Sequence, residues 1–154
     1  MTPAASVATL YDLYTKTTAH LGESGWEAPP VDATVLGVTP ESCTLDDGSE
    51  GVTYDGGGLG PGHVDAVAAA ENVQSYWKSL GLEATVAKSS NPKNDRITVT
   101  GVDVKLNAQY VVNGDRAFIS IVTTCVPGDS EKLGDAVEKH RDEQSTTPTP
   151  TPAP

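Results

Sequence analysis

A chain of 154 residues has room for one domain and a short remainder. Its 10 Lys and Arg against 21 Asp and Glu leave a net charge of −11. Nucleic acid and anionic membrane surfaces are approached through a basic footprint that this composition lacks, while acidity keeps an exported protein soluble. No apolar stretch approaches the roughly 20 residues of a membrane-spanning helix.

In chain order, Val7, Leu10, Tyr11, Tyr14, Thr18 and Leu21 recur at helical spacing and predict a first helix, with Ser6 as its cap and Gly22 as its stop. The text MTPAASVATLYDLY has neither the basic nor the apolar region of a signal peptide, so an exported form is expected to have lost its signal beforehand. ESGWEAPPVD then leads to an extended segment over about 33–45, with Val35 its most secure apolar position and Cys43 near its end. Residues 46–62, DDGSEGVTYDGGGLGPG, read as one long loop. A second helix over about 64–80 carries Ala66, Ala69, Ala70, Val73, Trp77 and Leu80 on one stripe and closes at Gly81.

Beyond Gly81 the period changes to two. Leu82, Ala84 and Val86 alternate with polar residues, as do Ile97 and Val99, then Val104, Leu106, Ala108 and Tyr110, then Ala117, Ile119, Ile121, Thr123 and Cys125. Asn113-Gly114 predicts a type I′ hairpin pairing Tyr110 with Ala117 and Ala108 with Ile119. Gly101-Val102, read as a Gly-first turn, pairs Val99 with Val104. Both turns place the apolar set on one face, which needs a cover that the two helices can supply. The other face is polar except for Val111, Phe118 and Val122.

The expected fold is α+β: two helices packed on one face of an antiparallel sheet, made of a four-strand meander over 82–125 plus an N-terminal strand ending near Cys43. A single domain is expected over 5–128. Residues 129–144 would form a short surface helix through Leu133, Val137 and His140, or an extension, and 145–154 a Thr/Pro-rich tail in extended polyproline form.

Cys43 and Cys125 lie 82 positions apart and have neither CxxC nor zinc-finger spacing. Cys125 shares the inward face of Ile119 and Ile121 at the end of the last strand, and Cys43 ends the other extended segment, so a bridge between the two is geometrically open. A pair of buried free thiols is the alternative. The assembly of Trp26, Cys43, Asp47-Gly48, Trp77, Gly81 and Thr124-Cys125 is similar to the mature parts of small exported proteins and lipoproteins of the actinobacterial cell envelope, over roughly residues 5–128. That resemblance implies an extracellular or cell-envelope location and an intramolecular Cys43–Cys125 disulfide. It carries over no catalytic residue, and the lipidated cysteine of such lipoproteins is not in this sequence.

Gly56 to Gly62 precedes a helix, yet it matches neither GxxxxGK[ST] nor GxGxxG, and a mobile connection is expected there. Asp46, Asp47, Glu50 and Asp55 are the weak candidates for calcium, in a spacing that is not that of an EF-hand. His63 with Asp55 and Asp65 is the least poor acid/base group, the basis of an alternative reading as an envelope hydrolase. The leading reading is a non-catalytic exported or envelope-associated binding domain, expected to be a monomer without cofactor or metal, that meets an envelope protein or small molecule through Val111, Phe118, Val122 and Tyr54 or through the 46–62 loop. A structural spacer is the third reading.

Overall fold

The computed structural model of the chain describes residues 1–145; all of the predicted Thr/Pro tail except Ser145 lies outside them. Helix α1 spans Pro3–Leu21 and ends at Gly22, whose φ of 65° is open to glycine without a side-chain clash. Its cap is Thr2, which accepts from the Ala5 amide, because Pro3 already suits the first turn; Ser6, the expected cap, is fully buried within the helix. Helix α2 spans Ala66–Ser79, capped by the Asp65 carboxylate at the Ala68 amide. Ala69, Ala70, Val73 and Trp77 form its buried stripe, while Leu80, expected there, lies past the last turn and is 38% exposed. The helices meet at a polar contact buried in the core. Trp77 Nε1 donates to Thr17 Oγ1 at 2.9 Å, and the same hydroxyl donates to the Leu13 carbonyl at 2.7 Å.

Eight strands follow in chain order: β1 (Glu41–Thr44), β2 (Glu50–Thr53), β3 (Asp55–Pro61), β4 (Glu83–Lys88), β5 (Ile97–Val102), β6 (Leu106–Val112), β7 (Arg116–Thr123) and β8 (Val126–Pro127). They build two antiparallel sheets, one of five strands in the order β3-β7-β6-β5-β4 and one of three in the order β1-β2-β8. The meander β4 to β7 agrees with the alternating pattern. Helices α1 and α2 both cover the inner face of the larger sheet, where Ala84, Val99, Ala108, Tyr110, Ile119 and Ile121 are buried.

The rest of the sheet arrangement departs from expectation. Residues 46–62 are no single loop: they hold β2 and β3, and the glycine-rich run is a paired edge strand of the larger sheet. The N-terminal strand, β1, belongs to the smaller sheet. In the segment before it Val35 is only half-buried and Val38 is the core residue.

The reason for the glycines is steric. Inward positions of β3 face α1 and Trp26 at backbone range, so a Cβ on Gly58 would stand 2.3 Å from the Tyr14 hydroxyl and one on Gly60 2.3 Å from the Trp26 ring. An apolar alternation cannot appear where the helix occupies the side-chain volume. The free edge of β3 is capped by one residue, since Glu27 N donates to Leu59 O and Leu59 N donates to Glu27 Oε1, both at 2.9 Å.

Both hairpins close in a different register from the expected one. The β6–β7 partners are Tyr110 with Ile119 and Ala108 with Ile121, two residues along from a type I′ turn at Asn113-Gly114. Here the ladder runs to Val112 with Ala117, and Asn113 opens the turn, its Oδ1 accepting from the amides of Asp115 and Arg116, each at 2.9 Å, an Asx turn needing no positive φ. In the β5–β6 hairpin, Val99 pairs with Tyr110 and the strand runs on through Gly101. The Asp103 carboxylate takes the turn instead, accepting from the amides of Lys105 and Leu106, and Val104, expected inside, is 87% exposed. Gly101 is needed beneath Trp77, where a Cβ would lie 2.6 Å from the indole. Each register moves by an even number of residues, so the faces are unchanged.

Helix α3 spans Ser130–Ser145 and is more than a short surface element: Val137 is 3% exposed and Leu133 packs against the core. Glu50 of β2 accepts from the Ser130 amide and hydroxyl, tying the helix start to the smaller sheet. Gly134 lies inside α3 with nothing within 4 Å of where a Cβ would be. Gly134→Ala is therefore expected to raise stability by about 0.5 to 1 kcal/mol, seen as a higher urea midpoint with an unchanged slope.

Candidate functional site

Strand alternation divides the larger sheet into a helix-covered face and an outer face that neither α1 nor α2 reaches. Across β3, β7 and β6 the register aligns Leu59 with Phe118 and Phe118 with Val111 in one apolar row. Leu59 is 58% exposed and Phe118 half-buried. Val111 is only 6% exposed because its neighbours close over it. Arg96, Val111, Val112, Asn113, Arg116 and Phe118 line a shallow seat at the hairpin end of this row. A second depression on the same face is lined by Asn107, Gln109, Ser120 and Val122.

Val111, Phe118 and Val122 are thus on one face, as expected, and Leu59 joins them. Leu59 carries no strand signal in the sequence, because it stands in a strand that reads as a glycine-rich loop. Tyr54 does not belong with them. It lies between β2 and β3, fully buried, its backbone held from both sides by Thr123, with Tyr54 N donating to Thr123 Oγ1 and Thr123 N donating to Tyr54 O. Burial raises the pKa of its hydroxyl, which has no hydrogen-bond partner among the described residues.

The other candidates are dispersed by their local roles. Asp47 Oδ1 accepts from the Ser49 amide and hydroxyl, which holds the Asp47 carboxyl below its ordinary range. Glu50 serves α3, and Asp55 pairs across from Val122. Among the described residues no three His, Cys, Asp or Glu side chains gather as a metal site, so Asp46, Asp47, Glu50 and Asp55 do not converge.

His63 pairs with neither of its expected partners. Asp65 caps α2, and Asp55 begins the strand whose far end leads to His63, about 20 Å of chain away. His63 pairs instead with Glu23, Nε2 to Oε2 at 2.8 Å, and Glu23 Oε1 also accepts from Trp26 Nε1 at 3.1 Å. Behind Trp26 the buried Tyr110 hydroxyl is pushed up in pKa, by burial first and by the Glu23 charge second. Glu23 comes from the segment after α1, forty positions upstream of His63, and no local spacing announces it. A similar pair joins His140 of α3 to Asp32. The Thr34 hydroxyl and then His140 hold the Asp32 carboxyl below its ordinary range.

Cys43 and Cys125 are bonded, with Cα atoms 6.0 Å apart. The bridge lies on the smaller sheet and not in the helix-covered layer expected for Cys125, because the chain leaves the larger sheet after Thr123 and turns toward β8. Gly51 of β2 pairs with Cys43 and lies under the sulfurs, where a Cβ would come within 2.5 Å of Cys125 Sγ. The disulfide spans the central strand of its sheet, and only glycine leaves room for it.

These features define an α+β protein with two helices on one face of a five-stranded antiparallel sheet, extended by a third helix and a disulfide-stapled second sheet. No protein-family model matches the chain, and no curated protein does. Among solved structures it is similar to the crystal structure of a DUF4853 family protein from Actinomyces odontolyticus ATCC 17982. The two are 12% identical with a TM-score of 0.59, over 82% of this chain and 67% of that one. At this identity the likeness is one of fold. The neighbour comes from an actinobacterium, the group to which the sequence resemblance points.

Proposed function

We propose that the chain is an exported, non-catalytic interaction domain that meets its partner through the outer face of the five-stranded sheet. The observation that carries this is the row Leu59, Phe118 and Val111, continued by the exposed Val122, on a face that the helices α1 and α2 leave open. The continuous core cluster lies on the opposite face and does not include Val111, Phe118, Val122 or Leu59, so packing of that core does not account for apolar side chains here. A spacer would be expected to lack such a patch. Export is supported by the disulfide, which persists in oxidising compartments, and no helix among the described residues is long and apolar enough to cross a membrane.

Phe118→Thr tests the surface, because threonine keeps strand propensity while removing the ring. Peptides selected on the immobilised full chain from a random display library are expected to lose about tenfold or more in affinity on this variant, with the unfolding midpoint little changed. Peptides that bind wild type and variant equally would remove the outer face as the site.

A further inference from the structure

We propose that the segment held on this face is an acidic peptide with an apolar anchor, its carboxylates taken by Arg96 and Arg116 and its anchor seated on Phe118 and Val111. The proposal rests on the outer-face reading above and adds the chemistry of the partner. Two of the chain's three arginines line one seat with Val111 and Phe118. Both are exposed, and neither guanidinium makes an ion pair among the described residues, in a chain with 21 acidic side chains to offer. Asp95 and Asp115 stand on the adjoining turns but do not line the seat, and Asp95 accepts from the Asn113 side-chain amide. Unpaired guanidiniums beside an apolar floor match carboxylates with an apolar side chain between them, since each planar fork can hold a carboxylate by two parallel bonds.

The face is also polarised along its strands. Asp55 and Glu83 occupy the end opposite the arginines, about 20 Å away, so an acidic segment is favoured at one end and repelled at the other. The seat is too shallow to enclose a small molecule, which suits a segment laid across the surface. Polyanions such as nucleic acid or anionic membrane meet the whole charge of −11. A short peptide brings few charges, and beyond about 8 Å those are screened at physiological salt. The chain's own residues 146–154 carry no acidic side chain and do not fit the seat.

The test selects peptides from a random display library on the full, disulfide-bonded chain and measures each on Arg96→Gln/Arg116→Gln and on Phe118→Thr. Expected are peptides with Asp or Glu beside Leu or Phe, weakened about tenfold or more by the arginine double variant, by Phe118→Thr and by added salt. Neutral or basic peptides that lose affinity on Phe118→Thr but not on the arginine variant would overturn the acidic partner and leave the outer face standing. Peptides indifferent to both variants, or no peptide above background, would overturn both. An arginine-dependent dimer, or arginine-dependent binding to phosphatidylglycerol vesicles without peptide binding, would assign the seat elsewhere and overturn the proposal.

Discussion

Breaking the Cys43–Cys125 bond is expected to lower the unfolding free energy by about 3 to 5 kcal/mol and the melting temperature by roughly 10 °C. The bond closes a loop with a sequence separation of 82, and on the chain-entropy model long loops constrain the unfolded chain most. The folded side of the balance points the same way. Strand β1 is four residues long, pairs only with β2, and has no buried residue, so apart from that ladder the disulfide is what fastens it to the chain beyond β7. Urea unfolding of Cys43→Ser/Cys125→Ser beside wild type, with and without reductant, measures the effect. A difference below about 1 kcal/mol would mean that the bridge constrains little in either state. Wild type in reductant should approach the double variant, since both lack the same cross-link.

Gly57→Ala is expected to cost about 3 kcal/mol, a large effect for one methyl group. Gly57 has a φ of 150°, and a Cβ there would stand 1.8 Å from the backbone oxygen of Ile119 on the neighbouring strand. No rotamer change relieves a clash with backbone, so β3 must draw away from β7 and give up ladder bonds along Asp55–Pro61. The comparison with Gly134→Ala is direct, because the same added methyl meets empty space there. Chemical denaturation of both variants separates the cases. A cost under about 1 kcal/mol at Gly57 would contradict the pairing of the glycine-rich segment as a strand.

What could be read from the sequence divides along local and non-local physics. Helices α1 and α2 and the meander β4 to β7 announce themselves through periods of 3.6 and two, which any few consecutive residues express. The outer-face positions of Val111, Phe118 and Val122 follow from the same period, and they survive the wrong register because an even shift does not exchange faces. Register itself was not legible. The Gly-containing turn signals at 101–102 and 113–114 compete with Asp103 and Asn113, whose side chains cap the turns by hydrogen bonds that spacing alone does not rank.

The sequence by itself determined the α+β class, the helix-covered face of the meander, the acidic charge, and a cysteine pair with only one intramolecular partner each. Tertiary structure alone decided that Gly56 to Gly60 form a strand, because their signature is the bulk of Leu10, Tyr14 and Trp26 pressed against them from distant parts of the chain. It also decided that Tyr54 is core, that His63 belongs with Glu23, and that the disulfide lies over Gly51 on a second sheet. It set Arg96 and Arg116 around one apolar seat. Periodicity reports which face a residue takes within its own element. Which residues from other elements share that face depends on how elements pack, and packing is a property of the assembled chain.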